Sequence, residues 1–319
     1  MSGMSAQTKC EPVFLIGAER SGTTLFRLML DHHPQITWMN EFEYVVDLID
    51  ANGRWPSLSD YWQWLSSHRV FGATRFAIDR SLDYSQLVDS FLEQQRTRAK
   101  KPIVGATVHR RYEMLLRLWP NARFIHLVRD PRDVASSCVA MGWAGNVWDG
   151  VSRWIDAETR WLRLQSELPA ERHLDVSYES LIADPESTLR RACALIGTDY
   201  AACMLDYPRD TTYQCPDMNL LGQWSRKLSH RQVQLIESRV ANMAVERGYT
   251  LSGLPRMTLS GPQKVLLRVQ NRLARIRFRI RRYGPALWLA CLIVPRFGPK
   301  SWKQRVLLCV AAVDRTHLK

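Results

Sequence analysis

The sequence predicts a parallel α/β sheet with helices on both faces, extended at the C-terminus by a basic amphipathic helical segment. Three features argue for this. The apolar run Val13-Phe14-Leu15-Ile16-Gly17 passes through a short loop into the helix-like Leu25-Phe26-Arg27-Leu28-Met29-Leu30, a strand–loop–helix unit. Further short apolar runs at 103–107, 122–128 and 172–176 alternate with longer helical patterns, the order expected of βα units. The charge is also unevenly placed: residues 256–319 hold fifteen Lys or Arg and one acid, Asp314, whereas 1–255 hold 29 basic and 30 acidic residues. A chain of 319 residues, 46% of them hydrophobic, supports one large domain at 1–255 and a tail at 256–319.

The first loop, Glu19-Arg20-Ser21-Gly22-Thr23-Thr24, has the composition of an anion site. Glycines let the backbone approach closely, the following helix offers unpaired N–H groups and a positive dipole end, and Arg20 adds a fixed charge. The sheet is therefore P-loop-like. Gly17 to Gly22 has the Walker A spacing, but Thr23 stands where that motif has its lysine, and the positive charge has moved ahead to Arg20. An ATP-dependent kinase built on this loop would lack its phosphate lysine.

Along the chain, helices are expected at 44–52, 84–98, 112–119, 147–166, 185–196 and 229–246, with strands at 103–107, 122–128 and 172–176. Trp55 to Phe71 is rich in tryptophan and suited to cover an acceptor cleft, and 141–146 reads as a flexible aromatic loop that could shape it. Trp154 and Trp161 sit at helical spacing and are expected in the core. A linker is expected from Ser252-Gly253-Leu254-Pro255 through Gly261-Pro262.

A second anion site follows the run Phe124-Ile125-His126-Leu127-Val128. Asp130 before Pro131 has the form of an N-cap followed by proline at the first helical position. Ser137 then lies about two turns into that helix, on the capping side. Arg129 and Ser137 together can hold one anion. An Arg129–Asp133 ion pair with Ser137 as an ordinary helix serine fits the same residues.

The two segments Arg20-Ser21-Gly22-Thr23-Thr24 and Arg129-Asp130-Pro131-Arg132-Asp133-Val134-Ala135-Ser136-Ser137 resemble the signature of sulfotransferases that use 3′-phosphoadenosine 5′-phosphosulfate (PAPS), and R-S-G-T-T is closer to their bacterial and tyrosylprotein branch. The resemblance covers roughly Pro12 to Tyr249. It implies that Arg20, Ser21, Gly22, Thr23 and Thr24 bind the 5′-phosphosulfate and that Arg129 and Ser137 bind the 3′-phosphate. Val176-Ser177-Tyr178-Glu179-Ser180-Leu181 with Asp184-Pro185-Glu186 is similar to the family's Y-E-x-L…D-P-E segment, which implies a place for Tyr178 near the adenine. Gly222 to Lys227 resembles a late segment that closes over the cofactor, with Arg226 or Lys227 reaching the 3′-phosphate.

Sulfuryl transfer should resemble phosphoryl transfer, with a loose in-line transition state in which positioning and electrostatics dominate. Arg20 suits the charge on the bridging oxygen, and the acceptor hydroxyl needs a base. The stretch from His33-Pro34 to Glu41 looks like the tyrosylprotein pattern, in which a glutamate seven residues past the proline is the base. Glu41 holds that position, with Glu43 next to it. His109, after the strand at 103–107, resembles the catalytic histidine of the cytosolic branch and is the second candidate, as base or leaving-group partner. Bacterial relatives often carry a lysine near this point. This chain has none between Lys101 and Lys227, which leaves His109, Arg110 or Arg111 to neutralise the leaving phosphate. His32, His33 and His126 read as structural.

Seven cysteines without C-x-x-C spacing point away from a zinc site or a disulfide framework, and no metal is expected. Met1 to Cys10 has no apolar signal core, and no stretch nears about eighteen consecutive apolar residues, so neither a secretion signal nor a membrane span is expected. In the tail, Leu266, Val269, Leu273, Ile276 and Ile280 form one helical stripe and Arg268, Arg272, Arg275, Arg279 and Arg282 another. Tyr283-Gly284-Pro285 should break the helix before the apolar 286–294 and a second basic stretch at 302–313. This composition predicts an anionic membrane surface as partner of 264–313, from a cytoplasmic location, rather than a nucleic acid. The acceptor is then expected to be a hydroxyl on a small molecule, glycolipid or saccharide. The competing functions are a P-loop-type kinase and a non-catalytic membrane protein on a sulfotransferase fold.

Overall fold

The computed structural model describes residues 11–317; the expectation for Met1 to Cys10 lies outside them. The chain forms two compact units, one from residues up to 130 together with 153–221, the other from 131–152 together with 222 onward.

The first unit is built on five parallel strands, β1 (Val13–Ile16), β2 (Ile36–Glu41), β3 (Ile103–Val108), β4 (Arg123–Val128) and β5 (His173–Ser177). Their order in the sheet is β2-β3-β1-β4-β5. The first strand is central, with Val13 opposite Gly105 of β3 and Arg123 of β4. Its apolar residues alternate between two cores. Val13 and Leu15 pack with Leu25, Phe26, Leu181 and Leu189; Phe14 and Ile16 pack with Phe42, Phe91, Trp119 and Trp161. A strand buried on both faces reads as continuous apolar sequence, as 13–17 and 124–128 do.

The helices Thr23–Asp31, Tyr84–Ala99 and Pro185–Ile196 start where the sequence signals a start. Asp83 and Gln86 form a capping box, and Asp184 caps the helix that opens with Pro185. Trp55 stacks on Tyr84 with ring centroids 5.2 Å apart, while Tyr61 and Phe71 are core residues.

Three expectations are corrected. Residues 44–52 form only a 3-10 turn at Glu43–Val45 followed by irregular turns. Arg111 draws on the carbonyls there, donating to Asp47 at 2.8 Å, to Asp50 at 3.2 Å and to Ile49, so they are spent outside a helical ladder. The expected helix 147–166 is two helices, Val147–Gly150 and Ser152–Gln165, and the break lies where the chain passes from the second unit back to the first. The expected helix 112–119 shortens to a 3-10 turn at Tyr112–Met114 and one turn at Leu115–Leu118.

His126 of β4 is wholly buried, its Nδ1 2.7 Å from Asp175 and its Nε2 3.0 Å from Glu158. Both partners only accept when ionised, so both ring nitrogens carry protons. Burial alone would lower the pKa of this imidazole; Glu158 and Asp175 together outweigh it and raise it. A raised folded value means that the His126 contribution is fully present below the unfolded value of about 6.5 and is lost as pH rises through the folded value. The stability difference between wild type and His126→Gln should therefore be larger at about pH 6 than at about pH 9 in urea titrations, and a difference that grows with pH would overturn the assignment.

In the second unit, the helix Pro131–Ala140 carries Arg132, 5% exposed, which pairs with Glu237 at 3.0 Å, donates to the Thr250 carbonyl and packs over the Trp224 ring. Asp133 accepts from the Trp224 backbone N–H at 2.7 Å. Arg132 and Asp133 of the second motif thus anchor the short helix Trp224–Lys227. Residues 251–260 have no regular structure and lead into the helix Gly261–Phe297, interrupted at Gly284 (φ 75°, ψ 159°), and then the helix Lys300–His317.

Candidate active site

Each of the five strands of the first unit carries a sequence-selected residue at or just beyond its carboxyl end: the 17–24 loop after β1, Glu41 on β2, His109 after β3, Arg129 after β4 and Tyr178 after β5. In open parallel sheets this edge is where ligands bind.

The loop after β1 is shaped by close approach. Gly17 has φ 147°, and a Cβ there would lie 2.3 Å from the Leu127 carbonyl oxygen. Arg20 is exposed and takes the left-handed φ of 74°, a conformation that costs a side-chain-bearing residue about 1–2 kcal/mol and collects at functional loops. Gly22 has φ 96°, and the Tyr178 ring occupies the space a Cβ would need, 2.3 Å away. The helix Thr23–Asp31 begins with no side-chain cap and no acidic residue in its first turn, so its leading N–H groups are open to an anion. Ser21 is fully buried and its Oγ has no hydrogen-bond partner. A buried hydroxyl of this kind costs about 1–3 kcal/mol unless a ligand completes it, and an acceptor oxygen of a phosphate or sulfate group fits.

Arg129 is held over the same loop. Its guanidinium lies 4.3 Å from the centroid of the Tyr178 ring, donates to Leu220 at 3.1 Å and reaches the Arg20 carbonyl at 3.5 Å. Its own carbonyl accepts from the indole of Trp154, a core residue as expected. Tyr178 is 5% exposed and opens the helix Tyr178–Ala183.

His109 is tied to two elements. Its backbone N–H donates to Glu43 Oε1 at 2.8 Å, and its Nδ1 lies 3.0 Å from the Gly17 carbonyl. A carbonyl only accepts, so Nδ1 carries the proton and neutral His109 has its lone pair on Nε2. Arg110 is committed to a two-point ion pair with Asp47, at 2.8 and 2.6 Å, and Arg111 to the 47–50 carbonyls.

The two glutamates differ sharply. The β2–β3 register shifts between Met39 and Glu41, and this bulge leaves Asn40 and Glu41 both exposed. Glu43 is 3% exposed. Burial raises its pKa and Glu41 adds to that, against the lowering effect of His109 and of backbone N–H donors. Glu41 also faces Arg27, whose guanidinium is pulled below its usual value by burial and back upward by Tyr213, Asp31 and Glu41. Sequence reasoning gave Glu43 no structural role; the available signal was a lone acid within Phe42-Glu43-Tyr44-Val45-Val46.

Ser137, Arg226 and Lys227 belong to the second unit. Ser137 lies on the helix Pro131–Ala140, and Arg226 and Lys227 are exposed on Trp224–Lys227. The loop 141–146 is held rather than loose: the Gly145 N–H donates to Asn271 at 2.6 Å, and Asn146 donates to the Leu267 carbonyl at 2.8 Å. Among the described residues no cluster of three or more His, Cys, Asp or Glu is placed to hold a metal ion.

The sequence profile of the sulfotransferase family matches residues 12–202. The chain belongs to this family. This sulfotransferase is 24% identical over 265 residues to protein-tyrosine sulfotransferase A of Caenorhabditis elegans, covering 76% of this chain and 68% of that one. It is 24% identical over 251 residues to omega-hydroxy-beta-dihydromenaquinone-9 sulfotransferase Stf3 of Mycobacterium bovis, covering 61% and 64%. Protein-tyrosine sulfotransferase 2 of Gallus gallus is 25% identical over 205 residues, with 61% of this chain and 53% of that protein covered. The match thus spans between about half and two thirds of the length of these relatives. In fold, the sulfotransferase domain of the Synechococcus PCC 7002 olefin synthase superposes with a TM-score of 0.55 at 22% identity, over 80% of this chain and all of that one. The protein is a sulfotransferase enzyme of α/β fold.

The loop geometry separates stability from ligand binding. Gly22→Ala should lower the unfolding free energy by about 1–3 kcal/mol, through the left-handed backbone and the clash with Tyr178. Ser21→Ala should leave it unchanged or raise it, since it removes an unsatisfied hydroxyl. Denaturant melts of the free protein test both, and a Ser21→Ala variant as unstable as Gly22→Ala would show that the hydroxyl is structural.

Proposed function

We propose that this sulfotransferase takes its sulfuryl group from PAPS and delivers it to an acceptor hydroxyl. The observation that carries the reading is the loop after β1, where a buried, unbonded Ser21 hydroxyl, an uncapped helix start and Arg20 converge beside Arg129 and Tyr178. These groups fit an anion on the loop and a second polar or aromatic part of the same ligand next to it. By the motif reading, Ser137, Arg226 and Lys227 add to the cofactor-binding set.

The donor supplies the sulfuryl group and a phosphate leaving group. Arg20 and the first N–H groups of Thr23–Asp31 bind the anion and oppose charge on the oxygen that leaves. Glu41, exposed at the carboxyl end of β2 and matching the tyrosylprotein position, takes the proton of the acceptor hydroxyl. His109 is held with Nε2 available to meet the leaving group. Glu43 positions His109 through its backbone N–H and is too buried to meet an acceptor.

The acceptor proposed is a small molecule, glycolipid or saccharide. The names of two relatives, one for protein tyrosine and one for an omega-hydroxy menaquinone derivative, support a hydroxyl as the attacking group.

Calorimetry with adenosine 3′,5′-bisphosphate, with Mg-ATP as the control, tests the donor. The bisphosphate should bind and ATP should not match it. Arg129→Ala, with its fold checked by circular dichroism, should weaken binding about ten- to a hundredfold, the value of one charged hydrogen bond. No bisphosphate binding, or a preference for ATP, overturns the proposal. With an acceptor in hand, Glu41→Gln should cut kcat about a hundred- to ten-thousandfold with bisphosphate binding intact. Retained turnover in Glu41→Gln together with its loss in Glu43→Gln would move the base to Glu43.

A further inference from the structure

We propose that the outward face of the C-terminal helices is a docking surface for anionic lipid, on which the chain lies without crossing the bilayer. The helix Gly261–Phe297 has a docked side: Asn271 accepts from the Gly145 backbone N–H, the Leu267 carbonyl accepts from the Asn146 side chain, and Phe278 lies where a Cβ on Gly142 would fall, 2.2 Å away. At about 100° per residue, Leu267, Asn271, Ala274 and Phe278 share one face. Leu266, Val269 and Leu273 lie on the far side of the helix, and they are 56%, 48% and 61% exposed. Three of the five residues of the apolar stripe seen in the sequence thus face away from the docked side, while Ile276 and Ile280 are half-buried. Of the arginine stripe, Arg268, Arg272 and Arg279 run between the two and are exposed, while Arg275 and Arg282 are half-buried.

Beyond the break at Gly284 the pattern continues. Leu289, Ile293 and Phe297 recur every four residues and are 50%, 48% and 82% exposed. The helix Lys300–His317 pairs back on this segment through Asp314, which accepts from Tyr283 Oη at 3.0 Å and meets Arg282 at 3.1 Å. It brings exposed Trp302, Leu307 and Leu308. Of the eighteen exposed large hydrophobic residues among those described, eleven lie in 265–308. The one acid of 256–319 is consumed by that internal pair, so the outward charge is all basic.

Charge and apolarity together select the occupant. A second copy would set one surface carrying the exposed Arg268, Arg272 and Arg279 against another of the same sign. A nucleic acid would satisfy the arginines and leave the leucines in water. An anionic interface meets both, with each basic residue near the surface contributing about 1 kcal/mol and each large apolar side chain inserted about 1.5–3 kcal/mol. No described helix is long and apolar enough to cross a membrane.

The test is co-sedimentation of the full chain with vesicles of phosphatidylcholine alone or with about a quarter phosphatidylglycerol, at low and high salt. Binding should require phosphatidylglycerol and fall with salt. Arg272→Gln with Arg279→Gln should weaken it about twenty-five-fold, and Leu289→Ser with Ile293→Ser and Phe297→Ser by at least about tenfold, with thermal melts matching wild type. The apolar triple sits where the side chains are solvent-facing, so its fold should hold; the arginine pair gives an independent variant if it does not. Absence of binding, equal binding to neutral vesicles, unchanged binding by the apolar triple, or a dimer that the triple abolishes would each overturn the proposal. Vesicle binding is read without turnover or nucleotide, so it stands or falls separately from the choice of donor.

Discussion

Gly17 is the point on which the site depends. It ends the central strand, and its backbone passes so close to the Leu127 carbonyl that no side chain fits. Its own carbonyl meets His109 Nδ1 beyond β3. One residue therefore ties the ends of β1, β3 and β4 to one another. Because β1 is in parallel register with both neighbours, displacing Gly17 would shift the anion loop, the histidine and the strand that delivers Arg129. A glycine is required by close approach and by its φ of 147° at once.

The polar groups around that point are unevenly satisfied, in a way that divides structure from function. His126 is as buried as Ser21, yet it has two carboxylate partners, and Trp161 and Gln165 complete Asp175. Ser21 has none, the loop holds a left-handed Arg20, and the following helix is uncapped. Any one of these costs only about 1–3 kcal/mol, well within what two well-filled cores around a parallel sheet can carry. Three such features within four residues suit the loop to an anionic ligand.

What could be read from the sequence follows from how local each cause is. The β1 loop, the helix starts at Tyr84 and Pro185 and the break at Gly284 are set by neighbours in sequence, and all were legible. The turns at 44–52 were not, because the groups that divert their carbonyls sit on Arg111, more than sixty residues away. Nor was β2, whose short run Ile36-Thr37-Trp38-Met39 carries no alternation and owes its form to pairing with β3. The candidate residues on all five strand ends came from motifs; their hydrogen bonds did not. The motif resemblance offered Glu41 and Glu43 side by side, and only the bulge at Met39–Glu41 shows that one meets solvent while the other meets the His109 backbone.

The tail shows the opposite limit. Its two stripes were plain in the sequence, but a stripe does not say which side packs. The packing side was chosen by features that carry no hydrophobic signal in the helix itself: an asparagine oxygen for the Gly145 N–H, the Leu267 carbonyl for the Asn146 side chain, and the absence of a side chain at Gly142, which lets Phe278 in. Once those contacts fix the helix, rotation by geometry alone turns Leu266, Val269 and Leu273 outward. Helix-forming sequence would tolerate polar residues at these positions with little loss of helix stability. Their apolar character is therefore not required by the fold of the helix, and the flanking arginines are what make the anionic surface proposed above a fitting occupant.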